Sequence, residues 1–127
     1  MITKKDYKFQ KLGRKLLKLS THPKYRMSCI LVRGGRIISF GINKIGSPPP
    51  YVEKTYSNMG LHAEVDCLAG ISKKSARGST IYICGETFKG NHILTQSCHS
   101  CYNFLKTMNV KRMVYEERTG DLREIKL

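Results

Sequence analysis

Acidic residues are scarce in this sequence: nine Asp and Glu stand against 23 Lys and Arg, a net charge of +14 on 127 residues. Such an imbalance bears on association and not on fold. It leaves two readings open, a polyanionic partner or phosphorylated substrate, and a lysine-rich solvated surface. Long apolar runs are missing as well. None approaches the roughly 20 residues of a membrane-spanning helix, and the basic N-terminus carries no apolar stretch of the secretory kind. Proline is sparse, and its one run, Pro48 to Pro50, is too short to act as a linker. Internal repeats and low-complexity tracts are absent. The expectation is a single domain over residues 1–127, with one core and a cytoplasmic location.

The most informative absence is a second cysteine pair. Five cysteines are present, an odd number without a secretory signal, so they read as thiols and ligands and not as disulfides. Cys98 and Cys101, in "TQSCHSC" at 95–101, have the spacing of half a structural zinc site. No other C-x-x-C and no H-x-x-x-H completes it. A structural site closed by two paired motifs is therefore excluded.

What is present reads as alternating helices and strands. Residues 5–19 form an amphipathic helix, with Phe9, Leu12, Leu16 and Leu19 along one stripe and Lys4, Lys8, Lys11, Lys15 and Lys18 along another. Docking of the apolar stripe on a core would leave the lysines free. Gly13 weakens this helix, and His22-Pro23 ends it. Residues 1–26 hold nine Lys/Arg and one acid, a net +8. "MSCILV" (27–32) is a buried strand, Gly34-Gly35 a hairpin turn, and "IISFGIN" (37–43) the returning strand. A long turn-rich loop spans 44–60.

A helix then runs from about His62 to Ile71, burying Val65, Leu68 and Ala69. "STIYICG" (79–85) is a third strand, and a loop over 86–97 leads to a helix carrying Cys98, Cys101, Leu105 and Met108 on one stripe. "VKRMVYEE" (110–117) and "LREIKL" (122–127) are the last strands. The order α-β-β-α-β-α-β-β predicts a five-stranded mixed sheet in a three-layer α/β/α arrangement. Crossovers make strands two and three, and three and four, parallel; the short last turn makes four and five antiparallel.

A third ligand for Cys98 and Cys101 is found upstream in "GLHAEVDC" (60–67), where His62 opens a helix and Glu64 follows two residues later. His99 lies between the cysteines and faces elsewhere on their helix, while His22 and His92 are loop residues. Three protein ligands leave a fourth position open to water, the mark of a catalytic zinc. Cys98 and Cys101 share the first turn of their helix, whose N-terminus favours thiolates. His62 begins the other helix, so two helix starts converge on the cation. Glu64 then serves better as a proton carrier than as a closing ligand.

H-x-E followed by a C-x-x-C that opens the next helix resembles the signature of the zinc-dependent nucleobase deaminases of the cytidine deaminase-like superfamily. The element order resembles their fold over nearly the whole chain. The resemblance implies Zn²⁺ held by His62, Cys98 and Cys101, with Glu64 moving protons as C4 of cytosine or C6 of adenine is hydrolysed. It implies a base contact through the Ala63 backbone, and at Asn43 the asparagine that holds the sugar or backbone of nucleotide substrates. The partner implied is a nucleotide or a single-stranded nucleic acid, and no membrane; a homo-oligomer is compatible with it.

Departures from the pattern bear on substrate. The usual proline before the first cysteine is Ser97, a good N-cap. The segment "GETFKGNHILTQ" is longer than in compact members. Ile45 stands where free-nucleoside cytidine deaminases carry a glutamate. "GINKIGSPP" resembles deoxycytidylate deaminases, whereas an antiparallel last strand resembles the cytidine deaminase branch. The expectation is a deaminase of cytosine in a phosphate-bearing substrate. Adenine deamination on tRNA or another nucleic acid, and a non-catalytic zinc-bearing nucleic-acid module, are the alternatives. Cys29, Cys67 and Cys84 read as core residues. Phe88 and His92 are open to base stacking or to loop anchoring, as are Tyr51 and Tyr56; Tyr25, Lys24 and Arg26 are open to phosphate contact or to surface charge.

Overall fold

The structure is a computed structural model that describes residues 1–22, 24–44 and 62–127. Ile45, Tyr51 and Tyr56, and most of the expected 44–60 loop, lie outside the described residues. Helix α1 covers Lys4–Leu16, followed by a 3₁₀ turn at Leu17–Leu19. Strands β1 (Tyr25–Arg33) and β2 (Arg36–Ile42), helices α2 (Ala63–Leu68) and α3 (Lys73–Ala76), strand β3 (Thr80–Thr87), helix α4 (His99–Thr107) and strands β4 (Arg112–Glu116) and β5 (Leu122–Lys126) complete the order.

The five strands lie in the order β2-β1-β3-β4-β5. Gly34 and Gly35, with φ of 59° and 76°, supply the two left-handed residues that a tight β1–β2 hairpin requires. β3 pairs parallel with β4, and β4 antiparallel with β5, as the connection lengths predict. β2 and β3 run in the same direction but are not neighbours, because β1 inserts between them and pairs antiparallel with each. Connection length sets relative direction; it does not say which strand fills the gap.

Alternation along the strands divides the core. Ile30, Val32, Tyr82, Val114 and Leu122 pack with Phe9, Leu12 and Leu16 of α1. Cys29, Leu31, Ile81, Ile83 and Met113 pack with Ala63, Cys67 and Leu68 of α2 and Leu105 of α4. The lysines Lys4, Lys8, Lys11, Lys15 and Lys18 are exposed, as the amphipathic pattern requires. Leu19 is 49% exposed instead of docked, and Leu17 takes the buried place at 1%, because the tighter final turn rotates the stripe. Gly13 is buried against β1 and β3: a Cβ there would come within 2.9 Å of Cys84 Sγ, so its smallness serves packing. Helix α2 ends at Leu68, short of Ile71, and Ala69 is only half-buried. The short α3, absent from the sequence expectation, is capped by the Ser72 hydroxyl, which accepts from Ser75 N–H at 3.1 Å.

One buried carboxylate fastens α1 to the sheet. Asp6 accepts from Thr3 N–H (2.9 Å), from Tyr82 Oη (2.6 Å) and from both terminal nitrogens of Arg112 (2.9 and 2.8 Å). Burial alone would raise its proton affinity, but the hydrogen bonds from Arg112, Tyr82 and Thr3 outweigh it and hold the carboxyl well below the usual carboxylate range. The stability it contributes is complete above the ordinary value of 3.8 and is lost as pH falls toward the depressed folded value. Asp6→Asn is expected to cost about 2–3 kcal/mol at neutral pH, because it takes the buried carboxylate from Arg112, which keeps only the ion pair with the less buried Glu124. Denaturant unfolding should show that deficit shrinking below about pH 4; a variant as stable as the parent at pH 7 would contradict the assignment.

Candidate active site

The site is built from two chain segments that meet on the α2/α4 face of the sheet. His62 is the N-cap of α2, with extended backbone, and Cys98 is the N-cap of α4. Cys98 Sγ accepts from Cys101 N–H at 3.5 Å, as a capping side chain does. Close approach of α2 to β2 depends on Gly41, where a Cβ would lie 2.3 Å from Cys67 N and 2.5 Å from the Ala63 carbonyl oxygen. Asp66 reinforces the contact by accepting from Ile42 N–H at 3.0 Å, and Ser39 donates to the Cys67 carbonyl at 2.5 Å.

The second segment is positioned by Thr95, which is fully buried. Its N–H donates to the Glu116 carbonyl (2.9 Å), its hydroxyl accepts from Glu116 N–H (2.7 Å), and the same hydroxyl donates to the Ile83 carbonyl (2.8 Å). The residues before it fold back on β3, with Thr87 N–H on the Asn91 carbonyl at 2.9 Å and a bridge between Glu86 and His92. The long "GETFKGNHILTQ" segment is therefore an extension of β3 and a tight return, which delivers residues 93–97 along the end of the sheet to Cys98.

These placements bring His62 Nδ1 to 3.2 Å from Cys101 Sγ and 3.9 Å from Cys98 Sγ. The three donor atoms lie within 4.8 Å of one another, a spacing that a single ion can bridge. An imidazole and two sulfurs are the donor set of a tetrahedral zinc site with one place left for water or substrate. Cys101 is fully buried, and its thiol is pushed far up by that burial, with Glu64 and Cys98 adding to it. A divalent cation among the three donors reverses that balance and favours the thiolates.

Glu64 is only 4% exposed, and its Oε2 accepts from the Ser97 hydroxyl at 2.7 Å. Ser97, at the position usually held by proline, thus binds the carboxylate directly. Glu64, His62, Ala63 and Cys98 line one cavity of about 470 Å³, with Asn43, Tyr25, Met27, His22, Ile93, Leu94, Gln96 and Arg118. Asn43 is buried, and its side chain is already engaged: Oδ1 accepts from Met27 N–H at 2.8 Å and from the Ser20 hydroxyl, while Nδ2 donates to the Tyr25 carbonyl at 3.1 Å. The remaining Nδ2 hydrogen is what Asn43 can offer to a ligand.

Other candidates separate from the site. His99 Nε2 meets Asn103 Nδ2 at 3.2 Å on the exposed side of α4. Cys29, Cys67 and Cys84 are buried core residues, and burial pushes the Cys67 thiol up to about 12. Phe88 is 62% exposed, and neither it nor His92 lines the cavity, whose side at this loop is made by Ile93, Leu94 and Gln96. Arg26 is paired with Glu86 at 2.7 Å. His22, read from sequence as a plain loop residue, instead lines the cavity, stacked on Tyr25 with ring centroids 4.4 Å apart. No local signal marked it, since the β1 strand that places Tyr25 begins two residues earlier than the apolar run suggests.

The family model described as the cytidine and deoxycytidylate deaminase zinc-binding region matches residues 3–117. The chain belongs to this family. No curated protein matches the sequence. Among solved structures, a cytidine deaminase from Burkholderia pseudomallei superposes with a TM-score of 0.69 at 17% identity, covering 98% of this chain and 93% of that one. A dCMP deaminase from cyanophage S-TIM5, in its apo form, gives 0.61 at 22% identity, covering 92% and 86%. RibD from Acinetobacter baumannii gives 0.55 at 24% identity, covering 85% of this chain but 26% of that one. These likenesses establish a shared α/β fold around a five-stranded mixed sheet.

For a member of the cytidine and deoxycytidylate deaminase family, the His62, Cys98 and Cys101 group is a donor set that fits Zn²⁺. No helix among the described residues is long and apolar enough to cross a membrane. Replacing His62, Cys98 or Cys101 singly by Ala is expected to weaken zinc binding at least about 100-fold, since each removes one of three protein donors. Metal analysis after dialysis against a chelator checks this, and zinc retained in all three variants would remove the site.

Proposed function

We propose that residues 1–127 form one zinc-dependent hydrolytic deaminase domain that converts cytosine to uracil in a phosphate-bearing substrate. The sheet would lie between α1 on one side and α2 and α4 on the other, in a cytoplasmic protein. The observation that carries this reading is Glu64: a buried carboxylate in the same cavity as a three-donor zinc site. A zinc module that only binds nucleic acid has no use for it.

His62, Cys98 and Cys101 hold the ion. Bound zinc supplies a Lewis acid that makes water a nucleophile near neutral pH. Glu64 would take one proton from the attacking water and deliver it to the ring nitrogen beside C4 as the C4–O bond forms, then carry the remaining hydroxyl proton to the amino group, so that the C4–N bond breaks and ammonia leaves. The Ser97 hydroxyl steadies Glu64 Oε2 through the bond at 2.7 Å, leaving the carboxylate a fixed direction for the transfer. Ala63 N–H lies in the first turn of α2, where backbone donors lack helical acceptors; no hydrogen bond from it is seen among the described residues, and it would meet the base edge. Asn43 offers its remaining Nδ2 hydrogen to the sugar. Met27, Ile93 and Leu94 supply apolar surface for the ring.

Cytosine is preferred to adenine on the resemblance of "GINKIGSPP" to deoxycytidylate deaminases. The cyanophage relative, also solved with dCMP and dUMP at 21% identity and a TM-score of 0.57, supports a nucleotide substrate. The exposed lysine face of α1 supports a single strand as the phosphate-bearing alternative.

Three experiments test the reading. Glu64→Gln is expected to lower ammonia release by about 10²–10⁴-fold with bound zinc retained; unchanged turnover would refute the mechanism. A panel of cytidine, dCMP, a cytosine-containing oligonucleotide and adenosine should show turnover of the phosphate-bearing cytosine substrates, whereas turnover of free cytidine alone would remove the phosphate argument. If the strand is the substrate, neutralising Lys4, Lys8, Lys11, Lys15 and Lys18 should flatten the salt dependence of oligonucleotide binding, by about 0.7 in log–log slope for each lysine on a phosphate. An unchanged slope would return these lysines to plain surface charge.

A further inference from the structure

The cavity that holds Glu64 contains, among its unused polar side chains, an arginine and a histidine, Arg118 and His22. Arg118 sits in the turn between β4 and β5 and is exposed. Among the described residues it makes no ion pair, and the acids beside it are engaged elsewhere. Glu117 pairs with Arg123 at 3.2 Å, and Asp121 accepts from the Thr119 hydroxyl at 2.9 Å. The Arg118 charge therefore reaches the cavity without a local carboxylate to neutralise it.

His22 is fixed from behind. Its Nδ1 accepts from Lys24 N–H (3.2 Å) and Tyr25 N–H (3.4 Å), so Nε2 carries the ring hydrogen and is the donor left for a ligand. Tyr25 is tied in turn to Asn43, whose Nδ2 donates to the Tyr25 carbonyl. A connected path thus runs along the cavity wall from Asn43, assigned to the sugar, through Tyr25 to His22. Glu64 is the only carboxylate among the described residues that line the cavity. A phosphate drawn to the arginine is held away from that carboxylate by like charge, which fixes the direction in which a nucleotide lies.

We propose that Arg118 and His22 form the anion-binding end of the substrate cavity and take the phosphate attached to the nucleoside whose base lies at Glu64. The inference rests on the deaminase reading for the identity of that base, and on the cavity itself for the anion. A guanidinium with free N–H groups suits a phosphate by paired, charge-assisted hydrogen bonds, and the imidazole Nε2–H adds a third donor. The phosphate is either the terminal group of a mononucleotide or the diester of a single strand, which share this chemistry.

The test compares kcat/KM for dCMP, for deoxycytidine and for a short cytosine-containing single strand, in the zinc-loaded parent and in Arg118→Ala, Arg118→Lys and His22→Asn. Asn at position 22 keeps an acceptor for the backbone N–H groups and has no donor that reaches as far as the imidazole Nε2–H. The preference for a phosphate-bearing substrate over deoxycytidine is expected to fall about tenfold or more in Arg118→Ala, the scale of one lost charge-assisted hydrogen bond. It should fall in the same direction in His22→Asn and be partly restored in Arg118→Lys. A loss on dCMP alone identifies a mononucleotide phosphate, and a loss on the strand alone a phosphodiester. A preference unchanged in Arg118→Ala would overturn the proposal, since a merely structural arginine lowers all substrates together. If the parent releases no ammonia from any substrate, the deaminase reading fails, and calorimetry then decides the anion site by itself. Tighter binding of dCMP than of deoxycytidine that Arg118→Ala abolishes supports it, and equal binding in the parent overturns it.

Discussion

Everything chemical in this protein depends on the close contact between α2 and the edge strand β2. His62 reaches 3.2 Å from Cys101 only because α2 lies nearly on the β2 backbone, and only glycine at position 41 leaves room for that approach. The Asp66 bond to Ile42 N–H holds the contact from the other side. The same helix start carries Glu64, so one packing decision brings an imidazole donor and a buried carboxylate to one cavity. The opposite wall depends on Thr95, whose hydrogen bonds to Ile83 and Glu116 register the incoming chain just before Cys98. Two backbone constraints, one on each segment, thus create a metal site from donors that are 36 residues apart in sequence.

Buried charge is used sparingly and for attachment. Asp6 with Arg112, and Glu116 with Arg14 at 2.9 Å, fasten α1 to the sheet at two points. Asp6 and Glu116 are buried and serve structure, so they add little negative charge to an already acid-poor surface. The exposed lysines of α1, and Arg118, which makes no ion pair among the described residues, then give the surface its positive sign. The acid-poor composition and the proposed anion-binding end of the cavity would then be two aspects of one charge distribution.

Much of this was legible in the sequence, for physical reasons that differ from residue to residue. His62, Cys98 and Cys101 could be read because metal chemistry restricts both residue type and spacing, and the structure brings those three together. Strand β3 and the β1–β2 hairpin followed from apolar runs and a Gly-Gly turn. The parallel β3–β4 and antiparallel β4–β5 pairs followed from connection lengths. Insertion of β1 between β2 and β3 was not legible, because neighbour choice in a sheet is decided by tertiary packing. Leu17 in place of Leu19 escaped the helical pattern because the chain tightens into a 3₁₀ turn there. His22 escaped because a loop histidine acquires meaning only from what folds beside it. The bond from Ser97 to Glu64 was invisible for the same reason: the sequence marked a missing proline but not the use of the hydroxyl that replaced it.

The central claim is an open three-donor zinc site beside a buried carboxylate. X-ray absorption spectroscopy of the zinc-loaded protein tests it most directly, because sulfur and nitrogen donors differ in distance by about 0.2–0.3 Å. The account predicts one zinc per chain, with two sulfurs at about 2.3 Å, one imidazole nitrogen at about 2.0–2.1 Å and one further light-atom donor exchangeable with solvent. A zinc closed by four protein donors, or a first shell lacking both sulfurs, would contradict it.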